Sequence, residues 1–321
     1  GGADSVNSYG LASGVNAGNR WGLKGVEELG NGYSVGFQLE SGFSADDGTS
    51  GQTLTNKDGS KSTRLFGRVA SLFVTGPFGT LAAGRDGTLD SGLGTVSYIY
   101  QYTALGTGLG VVSLNKDFYF GVQDRADNSV TYITPNFGGV KVYAQYSFQA
   151  SGQENVDSGD NTRYAALGAQ YMAGPFSTGL VVDQIFKPTD AEDQFKVAYG
   201  ASYDFGVAKV MGMAQYVKHA ESVGSNYTFK AQKALTGDAL EGWALGLGSV
   251  IPVAGGDFKV QANYVNVKDE DTSAKLDGYV LGLEYVYPLS KRTSVYTWGG
   301  YSQFKDKAKD EKTKVGQIGL G

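Results

Sequence analysis

The chain has 321 residues, a formal net charge of −5, 49 Gly, no Cys and a single His. The acidic balance excludes nucleic acid as a partner, because phosphate binding requires a basic surface. The absence of Cys excludes disulfides and Cys-based zinc sites. No run of about 18 apolar residues is present, so the sequence predicts no transmembrane helix.

Strands are predicted along most of the chain, because apolar and polar residues alternate in segments of about ten residues. In one such segment Phe258, Val260 and Ala262 fall on one side, and Lys259 and Gln261 fall on the other. A helix would scatter these polar groups around its circumference, whereas a strand separates them onto one face. In chain order the predicted strands are 18–29, 33–43, 62–75, 79–86, 128–135, 138–149, 161–172, 176–187, 193–203, 207–219, 238–251, 256–268, 275–288, 292–304 and 312–321.

Short and long connections alternate between these strands. The short connections are rich in Gly, Asn and Pro and fall at 30–32, 76–79, 135–139, 173–175, 204–206, 252–256 and 288–292. The other connections are polar and mostly longer, and fall at 44–61, 87–127, 150–160, 188–192, 220–236, 269–274 and 305–311. Short turns on one rim and longer loops on the other predict an all-β fold, a transmembrane antiparallel β-barrel, built as one domain by residues 1–321.

The number of strands in this prediction is about fifteen, whereas single-chain bacterial barrels usually have an even number. The first and the last predicted strand both run toward the rim of short turns. Residues 1–17 therefore have the position of a long-rim loop whose preceding strand is missing. We expect a barrel of about sixteen strands, the even count nearest above fifteen, whose first strand lies outside the sequence or is not recognisable in it.

Four segments together resemble the general, non-specific porins of Gram-negative bacteria, of the proteobacterial type. They are RWGLKGVEELG at 20–30, FQLESGF at 37–43, FGTLAAGR at 78–85 and RADNSVTY at 125–132. The resemblance covers nearly the whole chain and implies an outer-membrane, water-filled channel for passive diffusion of small hydrophilic solutes and ions. The family's short first strand and its terminal aromatic residue are not found here, which we expect of a chain trimmed at both ends.

The same resemblance implies how the channel is organised. The loop after the family's fifth strand, residues 87–127 here, would fold into the barrel and form a constriction. Loops of this length are uncommon unless they are functional. Residues 44–61 would latch onto a neighbouring subunit of a homotrimer. The expected surroundings are outer-membrane lipid and lipopolysaccharide, and no cofactor or metal is expected.

Basic residues in strands are the candidates for the wall of the constriction. An Arg or Lys that faces lipid at mid-depth costs about 2–4 kcal/mol, so strand cations are expected to face the lumen. Arg64 and Arg68 are four residues apart in one predicted strand and would share a face. The resemblance assigns Arg20, Arg68 and Arg125 to the constriction wall, and Lys24, Arg64 and Arg85 are further candidates.

Acidic residues of the loop are the candidates for the opposite side of the constriction. They are Asp86 at the loop entry, Asp90, Asp117 and Asp124. Carboxylates facing guanidinium groups would create a transverse field that orients dipolar solutes and screens ions by charge. Solvated or turn-forming Asp residues are the alternative. The loop aromatics are expected to pack against the wall; they are Tyr98, Tyr100, Tyr102, Phe118, Tyr119 and Phe120.

Several functional alternatives stay open at this point. The wall arginines favour a mild anion preference, whereas the acidic loops and the net charge of −5 favour cations. A substrate-selective channel would use the aromatic loop as a solute site. A barrel-based enzyme or adhesin, or a soluble β-protein, is less favoured. No catalytic residue is predicted, because His219 is expected to be a solvated rim residue and no nucleophile-elbow sequence is present.

Overall fold

The computed structural model describes residues 7, 9–56, 58–109, 119–155, 157–188, 190–223 and 235–321. Two short 3-10 helices occur among them, Ile99–Tyr102 and Ser158–Asp160, and no helix of the described residues is long and apolar enough to cross a membrane. The strands are β1 (Arg20–Gly30), β2 (Tyr33–Gly42), β3 (Thr53–Thr55), β4 (Lys61–Thr63), β5 (Val69–Gly76), β6 (Gly79–Gly87), β7 (Arg125–Ile133), β8 (Val140–Ser147), β9 (Arg163–Ala173), β10 (Phe176–Phe186), β11 (Gln194–Asp204), β12 (Lys209–Val223), β13 (Leu235–Val253), β14 (Gly256–Asp269), β15 (Lys275–Pro288), β16 (Ser294–Asp306) and β17 (Glu311–Leu320).

Fifteen of these strands form one antiparallel sheet in which every strand pairs with the next along the chain. β1 and β17 are the two ends of this order, and β3 with β4 forms a separate hairpin between β2 and β5. The prediction of about fifteen strands is confirmed, as is the alternation of short turns with longer connections. The expected sixteenth strand stays a prediction.

The two faces of the sheet have an inverted polarity compared with a soluble protein. On β14, Gln261 and Asn263 are buried while Tyr264 on the other face is exposed. On β15, Leu281 and Leu283 are exposed on that same outer face. Polar side chains therefore point inward and apolar side chains outward, as the sequence alternation predicts for a strand with water on one side and lipid on the other.

The described residues of the long connection between β6 and β7, 88–109 and 119–124, lie inside the sheet. Its 3-10 helix, Ile99–Tyr102, packs its buried side chains against β10, β11 and β12. Tyr102 reaches the wall because β11 has Gly200 there, where a methyl group would lie 2.3 Å from the Tyr102 ring. The buried aromatic rings of this loop form the protein's main hydrophobic core. The prediction of an inward-folded loop is confirmed.

One predicted strand begins in the wrong place. The sequence predicted a strand over 62–75, but β5 begins at Val69. The residues before it belong to the β3–β4 hairpin and its exit, where the Arg64 backbone N–H donates to the Gln52 carbonyl at 3.0 Å. Arg64 and Arg68 consequently do not share one strand. A turn stabilised by Asp58, which accepts from the Ser60 backbone N–H at 2.9 Å, forms this hairpin.

Aromatic residues at the short turns occupy the outer surface. Phe78, Phe137 and Phe205 are all exposed there, in agreement with rings that mark a membrane interface. Trp298, in the strand that follows the last short turn, is an exception. It is buried on the inner face of β16, directly opposite Glu284. Alternation along the strand decides this, since Trp298 is an even number of residues from the inward-facing Ser302.

Candidate functional site

The first two strands present a basic inner wall. Arg20 pairs across the sheet with Gly42, and Lys24 pairs with Gln38. Residues directly opposite in a sheet share a face, so Arg20 and Lys24 lie on the same side as Gln38 and Glu40. Phe37, by contrast, is exposed on the outer side. Both cations are solvent-exposed, and the inner position predicted for them agrees with this register.

Arg68 and Arg125 complete this wall next to the same strands. The Arg68 Nε lies 2.6 Å from Glu40 Oε1, and its backbone N–H donates to the Glu40 carbonyl at 3.1 Å. Arg125 donates from its Nε to the Arg68 carbonyl at 2.9 Å. Gly18 lets the backbone before β1 pass close to the Arg68 guanidinium group, because a methyl group at residue 18 would lie 3.0 Å from Arg68 Nη1.

Glu40 is a functional residue that the sequence analysis missed. It is the carboxylate that Arg68 contacts, and it lies on the inner face of β2. A signal was available in the sequence, because Gln38 and Glu40 alternate with Phe37 and Leu39. That alternation predicts an inward-facing carboxylate beside the predicted arginines.

Arg64 and Arg85 are not part of this wall, which corrects their prediction as pore-lining residues. Arg64 makes two contacts with the Asp127 carboxylate, at 3.0 and 2.6 Å, and Arg85 Nη1 lies 2.7 Å from the same group. The register places Arg85 opposite Ala70, which itself lies opposite Leu39 on the outer face. Asp127 therefore joins the two arginines at the outer side of the long-loop rim.

Asp86 and Asp90 do not face the arginines across open water, which corrects a second prediction. Asp86 is 3% exposed and accepts hydrogen bonds from the backbone N–H groups of Gly87, at 2.7 Å, and Thr95, at 2.8 Å. It organises the start of the loop. Asp90 is 1% exposed and forms an ion pair with Lys196 on the wall. Two of the four carboxylates that were predicted to create a transverse field across the pore therefore do not face the arginines.

The remaining two loop carboxylates have different outcomes. We call the loop of residues 87–127 the constriction loop. Asp124 lines a cavity of about 1090 Å³ on the long-loop side of this loop. Asp117 lies outside the described residues. The same cavity is lined by His219, whose Nε2 is 2.5 Å from a Glu192 carboxylate oxygen, so His219 contacts a carboxylate at the edge of the cavity.

Polar side chains of the opposite wall hold the constriction loop. Gln194 and Lys196 donate to the Gly121 carbonyl at 2.7 and 2.9 Å. Gln215 donates to the Phe120 carbonyl at 2.6 Å, and Gln261 accepts from the Ala104 backbone N–H at 2.8 Å. The predicted packing of the loop aromatics against the wall is confirmed for Tyr98, Tyr100, Tyr102, Tyr119 and Phe120, whereas Phe118 lies outside the described residues.

The charges of the inner wall are therefore unequal. Arg20, Lys24, Arg68 and Arg125 lie there with two carboxylates, Glu40 beside Arg68 and Glu28 toward the short-turn end of β1. A ring or patch of basic side chains at a narrow point favours the entry of anions. Within the described part of the chain, no group of three or more His, Cys, Asp or Glu residues could hold a metal ion.

Comparison with known proteins identifies relatives over nearly the whole length. A family model described as Gram-negative porin matches residues 1–307. An outer membrane porin protein of Bordetella pertussis is 30% identical over 98% of this chain and 83% of its own length. Outer membrane porin protein 32 of Delftia acidovorans is 31% identical over 90% of this chain and 75% of its own length. The solved structure of an anion-selective porin from Comamonas acidovorans is 26% identical, with a TM-score of 0.69, and covers 97% of this chain and 91% of that chain.

Proposed function

Because this chain belongs to the Gram-negative porin family, it is an outer-membrane β-barrel channel for passive diffusion, and we propose that the channel prefers anions. The observation that carries the proposal is the basic inner wall of Arg20, Lys24, Arg68 and Arg125, which outnumber the carboxylates of Glu28 and Glu40 on the same face. Burial of Asp86 and Asp90 supports it, since neither carboxylate is available to a permeating cation. The anion selectivity of the Comamonas relative is in agreement.

The test is the reversal potential of the reconstituted channel in a salt gradient. The wild-type protein should give the sign of an anion-selective pore, and Arg20→Gln combined with Lys24→Gln should move the potential toward zero. Lys291→Gln combined with Arg292→Gln, two exposed charges in the turn between β15 and β16, is the matched control and should change nothing. A cation-selective wild-type channel would contradict the proposal.

A solute-selective channel is the second candidate, and the cavity of about 1090 Å³ favours it. Its lining combines Asp124, Asp190 and Glu192 with Lys187 and His219, so it presents both charge signs to a solute. Block of the conductance by low concentrations of one solute would support this candidate. Conductance that falls smoothly with solute size, without such block, would support general diffusion.

The proteins similar to this chain are named as porins, which are channels, and we propose that this chain has no enzymatic activity of its own. The single His of the sequence, His219, is the one residue on which an imidazole-dependent reaction could rely. It is engaged with Glu192 and with the Asp193 carbonyl at 3.1 Å. Hydrolysis of ester or peptide substrates that disappears in His219→Ala would overturn the proposal.

We propose that residues 1–321 form a single domain and that three such chains assemble in the membrane. One sheet extends from Arg20 to Leu320, which supports the single domain. The outer face of the first strands is apolar, with Leu23, Phe37 and Leu72 exposed, and suits either lipid or another subunit. Latching by the loop that contains the β3–β4 hairpin stays part of this proposal. Channel closure in three equal conductance steps would support the trimer.

Lipopolysaccharide is the lipid partner that we propose, and a lysine patch on the outer face carries this proposal. Lys268 lies directly opposite Lys275, and Lys305 directly opposite Lys312, at the long-loop ends of β14 to β17. Carboxylates of this chain contact two of these lysines, Glu270 at Lys268 and Asp310 at Lys305, and lipid phosphate groups would compete for the same cations. Tyr264 lies four residues before Lys268 on the same face of β14 and marks the boundary of the apolar outer surface.

The expected test result is a loss of lipid affinity. Lys305→Gln with Lys312→Gln should lower the lipopolysaccharide that copurifies with the barrel, because phosphate groups lose two charge-assisted contacts. Lys61→Gln with Lys291→Gln, at two exposed positions outside the lysine patch, is the control for net charge. Equal amounts of bound lipopolysaccharide in the double variant and the control would contradict the lysine patch as the site.

A further inference from the structure

A buried cluster of charges lies where the constriction loop meets the wall. Lys196 of β11 is 1% exposed, and its ammonium group contacts the carboxylate of Asp90 and lies 3.3 Å from Asp183 Oδ2. It also donates to the Gly121 carbonyl at 2.9 Å. One side chain of the wall thus binds the loop at two points, near its beginning and near its end.

Burial makes this ion pair decisive for the position of Asp90. A carboxylate that is removed from water must be paired and hydrogen-bonded, because the cost of leaving it alone is several kcal/mol. Asp90 has Lys196 as its charge partner and accepts from Thr88 Oγ1 at 3.3 Å. Asp183 of β10 receives a hydrogen bond from Tyr164 at 3.2 Å, so Lys196 is the cation shared by both carboxylates.

We infer that Lys196 determines the charge selectivity of the channel by holding the Asp90 carboxylate against the wall and out of the lumen. This inference rests on the proposed anion preference. While Asp90 is paired with Lys196, the inner arginines face a loop from which that carboxylate has been withdrawn. Without Lys196, the Asp90 carboxylate regains its hydration by turning toward the water inside the barrel. That water fills the lumen, so the carboxylate then faces the pore.

Three variants separate this inference from a simple effect of net charge. Lys196→Met should shift the reversal potential toward cation selectivity. Asp90→Asn should leave the potential near the wild-type value, because the carboxylate that it removes does not face the pore. The double variant, Lys196→Met with Asp90→Asn, should recover anion selectivity. A pure charge effect is additive, so it requires Asp90→Asn alone to increase anion selectivity, and that result would overturn the inference.

The position of the loop can be measured independently of current. The sequence has no Cys, so Ser91→Cys introduces a unique thiol beside Asp90 at a position that is completely buried. A charged thiol reagent added to the lumen should leave this thiol unmodified when Lys196 is present and modify it at least tenfold faster in Lys196→Met. Equal rates in the two backgrounds would contradict the release of the loop.

Failure of the fold and failure of the proposed function are both distinguishable from failure of this inference. Lys196→Gln keeps a donor for the Gly121 carbonyl but has no charge, and it should reproduce the shift of Lys196→Met. If wild-type protein is cation-selective, the proposed function is wrong, while the thiol rates still test the position of Asp90. If wild-type protein is anion-selective and both Lys196 variants keep its reversal potential, the inference alone is wrong.

Discussion

Three arginines near the long-loop rim differ in the carboxylate that each contacts. Arg68 contacts Glu40 and belongs to the inner wall, whereas Arg64 and Arg85 share Asp127 on the outer side. Exposed ion pairs contribute little to stability, but these groups are partly buried and joined by several hydrogen bonds. We therefore propose two roles for the same residue type, selectivity inside the barrel and cohesion of the rim outside it.

At the scale of single residues, the cluster of Arg64, Arg85 and Asp127, which we call the rim cluster, should matter for stability and not for selectivity. Asp127→Asn leaves both arginines without their carboxylate and should lower the free energy of unfolding by roughly 1–3 kcal/mol, the usual cost of an unsatisfied buried group. Thermal unfolding in detergent measures this, with Asp257→Asn on the exposed end of β14 as control. A large shift of the reversal potential in Asp127→Asn would show that the cluster acts on the pore.

We expect the size of the channel to depend on the constriction loop. It is held by aromatic packing, by the carbonyl contacts of Gln194 and Gln215, and by the Lys196 ion pair. Tyr102 is its deepest ring, and its hydroxyl lies 2.9 Å from Ser177 Oγ. Small residues in the wall make this depth possible, because strands with larger side chains would hold the loop further into the lumen.

Gly200→Ala tests this dependence. The added methyl group would lie 2.3 Å from the Tyr102 ring, closer than any van der Waals contact, so the ring and its loop must move toward the lumen. We expect a lower single-channel conductance and noisier open-channel current. Gly316→Ala on β17, where nothing lies within 4 Å of the new methyl, is the matched control. Identical conductance in the two variants would contradict a loop that is seated on Gly200.

At the scale of the whole molecule, the inverted polarity of the sheet decides where the protein can exist. Leu281 and Leu283 on the outer face are exposed to lipid, while Gln145, Gln261 and Asn263 lie inside. In water such a surface would aggregate, since large contiguous apolar patches are unusual on soluble monomers. The barrel is stable because the membrane supplies the apolar environment that the outer face needs.

A charge on the outer face should therefore destabilise the protein according to its depth. Leu281→Arg, near the middle of β15, should cost about 2–4 kcal/mol in a bilayer, and Leu289→Arg, in the short turn that follows, about 0–1 kcal/mol. Refolding equilibria in lipid vesicles compare the two. Equal losses of stability would contradict the assignment of Leu281 to the membrane-facing surface.

The inward loop and the basic residues of the inner wall were expected from the resemblance to porins, whereas the sequence by itself determined the strands and the alternation of connections. These are local properties, since side chains alternate along a strand with a period of two and turns need particular residues. The tertiary structure decided which charges meet. Arg64 and Asp127 are 63 residues apart, and Arg68 and Glu40 are 28 apart, so no local pattern pairs them. Whether Asp90 faces the lumen or Lys196 depends on how the loop lies in the barrel, because a flexible loop can present the same carboxylate to either side.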